Sequence, residues 1–154
     1  PNDKQTRKTE HLAKNIFKGT HVNAEEQNTT ALYFAIDQNN MEILSLLLQN
    51  GKVDPNIFCF ESNDKSETAL LFAVCQKNLN AVKLLLAHPT IDVNLGSKVT
   101  TPLHAAIQES TIQIIKELLK HEQIDITKED SNCQKPLELL SKNHIEAILS
   151  SIKC

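Results

Sequence analysis

Tryptophan is absent from this chain of 154 residues, and five phenylalanines and one tyrosine are its only other large aromatic residues. Glycine and proline are also scarce, at three and five. A chain held together by leucine and isoleucine, with so few turn formers, leans helical. Long apolar runs are missing too. Apolar runs are short, LLL at 46–48 among them, and none approaches the length of a membrane-spanning helix. Arginine occurs once against fifteen lysines, so bidentate recognition of phosphate or carboxylate is almost unavailable. The four cysteines, Cys59, Cys75, Cys133 and Cys154, are far apart and form no CxxC pair. A disulfide framework or a thiolate metal site would need paired spacing, so free thiols in a reducing compartment are expected. G-x-S-x-G, a phosphate loop and H-E-x-x-H are absent as well, and no cysteine lies near a histidine–carboxylate pair in sequence. The chain is therefore expected not to be an enzyme and to need no cofactor or metal.

What remains is ordinary globular material, 40% hydrophobic and 23% charged, of a length suited to one domain. The net charge of −3 is unevenly spread. The first twenty residues hold five basic and two acidic side chains, and the remainder eleven against seventeen. An acidic body is a poor partner for nucleic acid, which rewards clustered cations. An RNA- or lipid-binding role for the basic first twenty residues is the weakest of the readings. The chain begins at Pro1 and its one methionine is Met41, so it is expected to be a piece of something longer. Fourteen asparagines and fourteen isoleucines, with the lysine excess, suggest an AT-rich genome.

The sequence repeats. TALYFAIDQNNMEILSLLLQNGKVDPN from Thr30, TALLFAVCQKNLNAVKLLLAHPTIDVN from Thr68 and TPLHAAIQESTIQIIKELLKHEQIDIT from Thr101 align without gaps. KPLELLSKNHIEAILSSI from Lys135 opens a fourth copy, and HLAKNIFKGTHVN at 11–23 looks like the second half of another. The spacing from Asn23 to Asn56 and from Asn94 to Thr127 is 33 residues, but from Asn56 to Asn94 it is 38. Each copy holds two helical periods: Leu32, Ala35 and Ile36 share one face, and Ile43, Leu46 and Leu47 share another. Thr30, Thr68 and Thr101 are N-cap candidates, with Pro102 and Pro136 at tolerated first-turn positions. Asn39-Asn40, Asn78, Ser110 and Asn143 stand between the paired helices as expected sharp turns. Two short helices cannot bury an apolar face alone, so the copies must stack as a solenoid.

Period and wording together resemble the ankyrin repeat. The signature is fullest in TPLHAA at 101–106 and keeps its frame in TALYFA and TALLFA, while VDPN, IDVN and IDIT match the start of the family's β-turn. The resemblance covers roughly residues 9–152. It departs in having Asn or Ser where Gly usually separates the helices, and in one extra residue before IDVN and IDIT. It implies an all-α solenoid of helix-turn-helix units joined by β-hairpin-like connectors. The expected division is a capping half-repeat at 9–29, repeats at 30–67, 68–100 and 101–134, and a partial repeat at 135–154. Leu12, Ile16 and Phe17 would close one end, and the last helix, expected over Ile145 to Ile152, lacks a polar outer face.

The resemblance also implies what single residues do. His104 would be a packing histidine whose ring bridges backbone groups of adjacent repeats. His88 and His121, 33 apart at second-helix ends, lack further ligands for a metal and suit a helix C-terminus instead. Leu86, Asp92 and Asn94 match the spacing at which asparaginyl hydroxylases modify ankyrin repeats, although an unmodified hairpin asparagine is the plainer reading.

Function, by the same resemblance, is to bind another protein through connector tips and the concave face of the first helices, as a monomer in this piece. Candidate contacts are Tyr33, Asp37, Gln38, Gln76, Lys77, Gln108 and Glu109 on the first helices. On the connectors they are Phe58, Phe60, Glu61, Asp64, Lys65, Lys98, Val99, Glu129 and Asp130. The five-residue insertion in the first connector carries Phe58 and Phe60, which an extended strand would point to one side. At least one ring is expected to be buried, the alternative being an apolar binding patch. Other readings are a substrate-recruiting or regulatory segment of a larger enzyme, or an effector of an intracellular microbe acting on proteins in a host cytosol.

Overall fold

A computed structural model describes residues 31–51, 53–58 and 66–150. The expected half-repeat at 9–29, Cys59, Phe60, Glu61, Asp64, Lys65 and residues 151–154 lie outside the described residues. Among the described residues there are seven α-helices: α1 Ala31–Asp37, α2 Met41–Gln49, α3 Ala69–Cys75, α4 Leu79–Leu86, α5 Pro102–Gln108, α6 Ile112–Leu119 and α7 Lys142–Ser150. A 3-10 turn over Pro136–Leu139 precedes α7. Each first helix packs on the first helix of the next repeat, α1 on α3 and α3 on α5, and the second helices do the same. The result is the all-α repeat solenoid expected from the sequence. Extended pairing among the described residues is limited to the isolated bridges Phe58 with Thr68 and Glu67 with Ser97.

The helices start where the threonines put them. Thr68 Oγ1 accepts from the Leu71 N–H at 3.3 Å and Thr101 Oγ1 from the His104 N–H at 3.4 Å, and Pro102 takes the first turn. The core is layered. Leu32, Leu70 and Leu103 are at most 1% exposed, as are Leu47, Leu85 and Leu118 on the second helices. The buried face of α2 is Ile43, Leu44 and Leu47, with Leu46 only half-buried. That corrects the expected Ile43, Leu46, Leu47 face: α2 packs on both α1 and α4, so a wider stripe is covered and its centre shifts to Leu44.

The turns differ from expectation in one respect. Left-handed backbone falls on Asn39 (φ 50°), Lys77 (φ 55°) and Ser110 (φ 53°). Asn78 was expected to provide the sharp turn, yet it is the N-cap of α4, its Oδ1 accepting from the Ala81 N–H at 3.1 Å. Asn40 caps α2 in the same way. The side-chain oxygen is more useful one residue later, where helix N–H groups lack partners. Lysine is left to carry a backbone conformation it does not favour.

Asparagine also links the connectors. Asn56 donates from Nδ2 to Thr90 O and accepts at Oδ1 from the Asp92 N–H, both at 2.7 Å. Asn94 repeats this pair with Gln123 O and the Asp125 N–H, also at 2.7 Å. At the next position Thr127 instead turns back on its own connector, its hydroxyl donating to Asp125 Oδ1 at 2.7 Å. Within the second connector a Cβ on Gly96 would lie 2.3 Å from Thr100 O, so only glycine fits that approach.

The last copy is remade. Its first helix shrinks to the 3-10 turn, and α7 begins at Lys142, so Asn143 lies inside the helix rather than in the turn expected for it. Ser141 and His144 form a reciprocal cap. The His144 N–H donates to Ser141 Oγ at 3.4 Å, and the Ser141 N–H donates to His144 Nδ1 at 3.1 Å. His144 Nε2 then meets Ser110 Oγ at 2.9 Å, the place that Asn78 takes against Asn39, also at 2.9 Å.

Candidate functional site

Stacking sets the end of each first helix beside the next. Gln38, Gln76 and Glu109 therefore recur at one exposed position, and Asp37 and Gln108 before it and Lys77 after it complete an exposed row. Gln38 donates to Asp37 Oδ2 at 2.9 Å, and Lys77 pairs with Glu109 at 3.0 Å across the joint between the second and third repeats. With both partners about half exposed, the pair orients side chains more than it stabilises the fold. Cys75 holds in the second repeat the position that Asp37 and Gln108 hold in the first and third. Partial burial, then the Glu67 and Glu109 carboxylates, push its thiol pKa above the ordinary value.

A groove of about 550 Å³ lies between the turns of the first two repeats, lined by Asp37, Asn39, Gln76, Lys77, Asn78 and Asn80, with Ile36 and Leu79 at its apolar side. The sequence reading missed Asn39 and Asn80 as members of this surface. Asn39 was absorbed by its role as a turn former, and Asn80, inside α4, carried no signal of its own.

Tyr33 has a different placement from the other candidates. It is half-buried and stacks on Phe72 with ring centroids 3.8 Å apart and planes 23° apart, joining the first repeat to the second. Phe34 stands one residue on and is 61% exposed, whereas its counterpart Phe72 is 6% exposed. Phe58 is half-buried beside Thr68. Lys98 and Val99 are exposed at the tip of the second connector, and the Val99 carbonyl accepts from the Ser131 N–H at 3.1 Å. Asp130 is half-buried and turned onto its own connector, its Oδ1 accepting from the N–H groups of Asn132 and Gln134. The Gln134 N–H, ahead of the Asn132 group, holds its pKa below the ordinary carboxylate value. The row thus presents polar side chains and the second tip Lys98 beside the apolar Val99, while Tyr33 is occupied within the stack and Asp130 by its own connector.

The histidines among the described residues are accounted for by structure. His104 is fully buried, with Nδ1 2.7 Å from Thr101 Oγ1 and Nε2 2.9 Å from Gln134 O, so its ring spans to the following connector. In the second repeat, where Leu71 replaces it, the Thr68 hydroxyl itself donates to Leu95 O at 2.8 Å. His88 and His121 each accept at Nδ1 from the N–H two residues on, Thr90 and Gln123, closing the turn after the helix. They were expected to serve the last helix carbonyls. The ring folds forward because those carbonyls already accept backbone N–H groups, as Leu85 O does from the His88 N–H and Leu118 O from the His121 N–H. Asn94, the candidate for hydroxylation, has both ends of its amide engaged by the next connector. Among the described residues no helix is long and apolar enough to cross a membrane.

Comparison with known proteins agrees with this geometry. A family model described as ankyrin repeats in three copies matches residues 5–97, and a single ankyrin repeat model matches residues 100–131. No curated protein matches the chain. Among solved structures, the ankyrin repeat domain of Bcl-3, described as a unique member of the IkappaB protein family, is similar with a TM-score of 0.73 at 24% identity. The match covers 86% of this chain and 57% of that one, so the chain spans a little over half the length of that structure. At this identity the likeness is one of fold.

Proposed function

Because the chain belongs to the ankyrin repeat family, we propose that it is a non-catalytic protein–protein interaction module that holds its partner on the first-helix row and the connector tips. The observation that carries this reading is the row itself. Gln38, Gln76 and Glu109 repeat one exposed position on three stacked units, with Asp37 and Gln108 exposed before it and Lys77 after it, and none of them fills the core. A rigid stack loses little entropy on docking, and its surface positions can vary without disturbing the layers beneath. The fold is one that ordinarily serves interaction, and the histidines that could suggest catalysis are engaged in packing and turns.

The test is a comparison of captured proteins. A variant with Gln76, Lys77, Gln108 and Glu109 all changed to alanine should keep its helical circular dichroism yet lose the proteins that the unaltered chain retains. A control with Gln49→Ala and Lys83→Ala on the second helices should retain them. Equal capture by all three proteins, or loss only in the control, would refute the proposed surface.

A further inference from the structure

The groove between the first two turns has a composition that selects what can lie in it. Gln76 and Asn80 are exposed and line it, and neither side-chain amide makes a hydrogen bond among the described residues. Each amide can donate and accept at once. Asn39 and Asn78 are tied to each other at 2.9 Å, which fixes the wall between the two turns. Lys77 is drawn toward Glu109 at 3.0 Å and away from the groove's charge balance, leaving the Asp37 carboxylate as the uncompensated charge. Leu79, half-buried, offers an apolar strip along which an aliphatic stem can lie.

From this arrangement we propose that the groove takes an extended polypeptide segment of the partner, whose lysine or arginine reaches Asp37 while its backbone pairs with Gln76 and Asn80. The proposal deepens the interaction reading above and rests on it. An extended chain presents N–H and C=O groups that side-chain amides can pair, whereas a helix has already used its own. A phosphate-bearing partner would meet the carboxylate and find no unpaired cation in the groove. The apolar stem of a long basic side chain fits Leu79, and its charge fits Asp37.

The experiment is a selection of random peptides displayed on phage against the whole immobilised chain, followed by affinity measurements on the selected synthetic peptides. Selected sequences should share a lysine or arginine. Asp37→Lys should weaken their binding by about tenfold or more, equivalent to about 1.4 kcal/mol. Asn80→Ala should weaken it several-fold, and rising salt should weaken the unaltered complex. Circular dichroism of both variants checks that the fold is kept. The proposal is overturned if no peptide is enriched, if enriched peptides lack a basic residue, or if Asp37→Lys binds them equally. Should the four-alanine row variant still abolish capture of proteins in that event, the interaction reading stands and only the groove's occupant is wrong.

Discussion

The leucine that follows the opening residues of each first helix occupies the same position in four consecutive copies, with two different outcomes. Leu32, Leu70 and Leu103 are at most 1% exposed, while Leu137 is 47% exposed. The side chains are identical, so the difference lies in what surrounds them. Leu103 belongs to a full helical turn packed on α3 and followed by the 3-10 turn of the next copy. Leu137 sits in that 3-10 turn, and among the described residues no further repeat covers it. Burial in a solenoid is a property of joints rather than of residues. Leu103→Ala should therefore cost about 2–5 kcal/mol, the range for a leucine lost from a packed core. Leu137→Ala should stay near 0.5 kcal/mol, as for ordinary surface changes. Urea unfolding of the two variants checks this, and equal losses would mean that the last copy is as well packed as the interior.

The connectors repeat the contrast in hydrogen bonds. Asn56 and Asn94 each reach the next connector twice, but Thr127 spends its hydroxyl on its own Asp125. Asn94→Ala removes two bonds and leaves the Gln123 carbonyl and Asp125 N–H to water. A loss of about 1–2 kcal/mol is expected for such a pair of bonds. Thr127→Ala should cost less than half as much in the same unfolding measurement. A similar cost for both would show that the ladder contributes little beyond local turns.

The substitute for that ladder at the last joint is His144. His144→Ala removes the ring's half of the reciprocal cap together with the Ser110 contact, while its backbone N–H can still donate to Ser141 Oγ, and should cost about 1 kcal/mol, as for a lost hydrogen bond. His144→Gln keeps a side chain that can close the cap but falls short of Ser110, so it should recover about half of that loss. Hydrogen exchange of the α7 amides separates the two contributions.

These joints also show what could be read from the chain and what could not. Three gap-free copies made the helix pairs and the caps at Thr68 and Thr101 legible, because each is a local pattern repeated in phase, whereas the bridging of His104 followed only from the resemblance to the ankyrin repeat. The Ser141–His144 cap escaped notice because histidine stands where glutamate or glutamine marks a capping box. The shift of α7 to Lys142 escaped because Asn143 looked like a turn residue, and only loss of the preceding helix releases it from that role. Lys77 carries the left-handed turn because Asn78 is committed to a cap, a choice no propensity scale makes. The row of candidate contacts was legible as recurring polar positions. Its groove was not, since that depends on how far apart stacking sets the turns.

The smallest effect distinguishes the last connector from those before it by acid. Asp125 is fully exposed, yet its carboxyl pKa is held below the ordinary 3.8, first by the Thr127 hydroxyl and then by the Thr127 N–H. A lowered folded pKa means that the ionised form is favoured by folding. Its stabilising share is thus complete above the unfolded value and is lost as pH falls from about 4 through the lowered folded value. Titration of the Thr127 amide proton by NMR should show an inflection below pH 3.8 in the unaltered chain. Asp125→Asn retains an accepting oxygen, so the turn should persist while the inflection disappears. Asp130 is lowered too, by the Gln134 N–H above all, and its own inflection should survive the change at the Gln134 amide. An inflection at Thr127 at or above the ordinary aspartate value would show that this turn closes no more tightly around the charged carboxylate than solvent does.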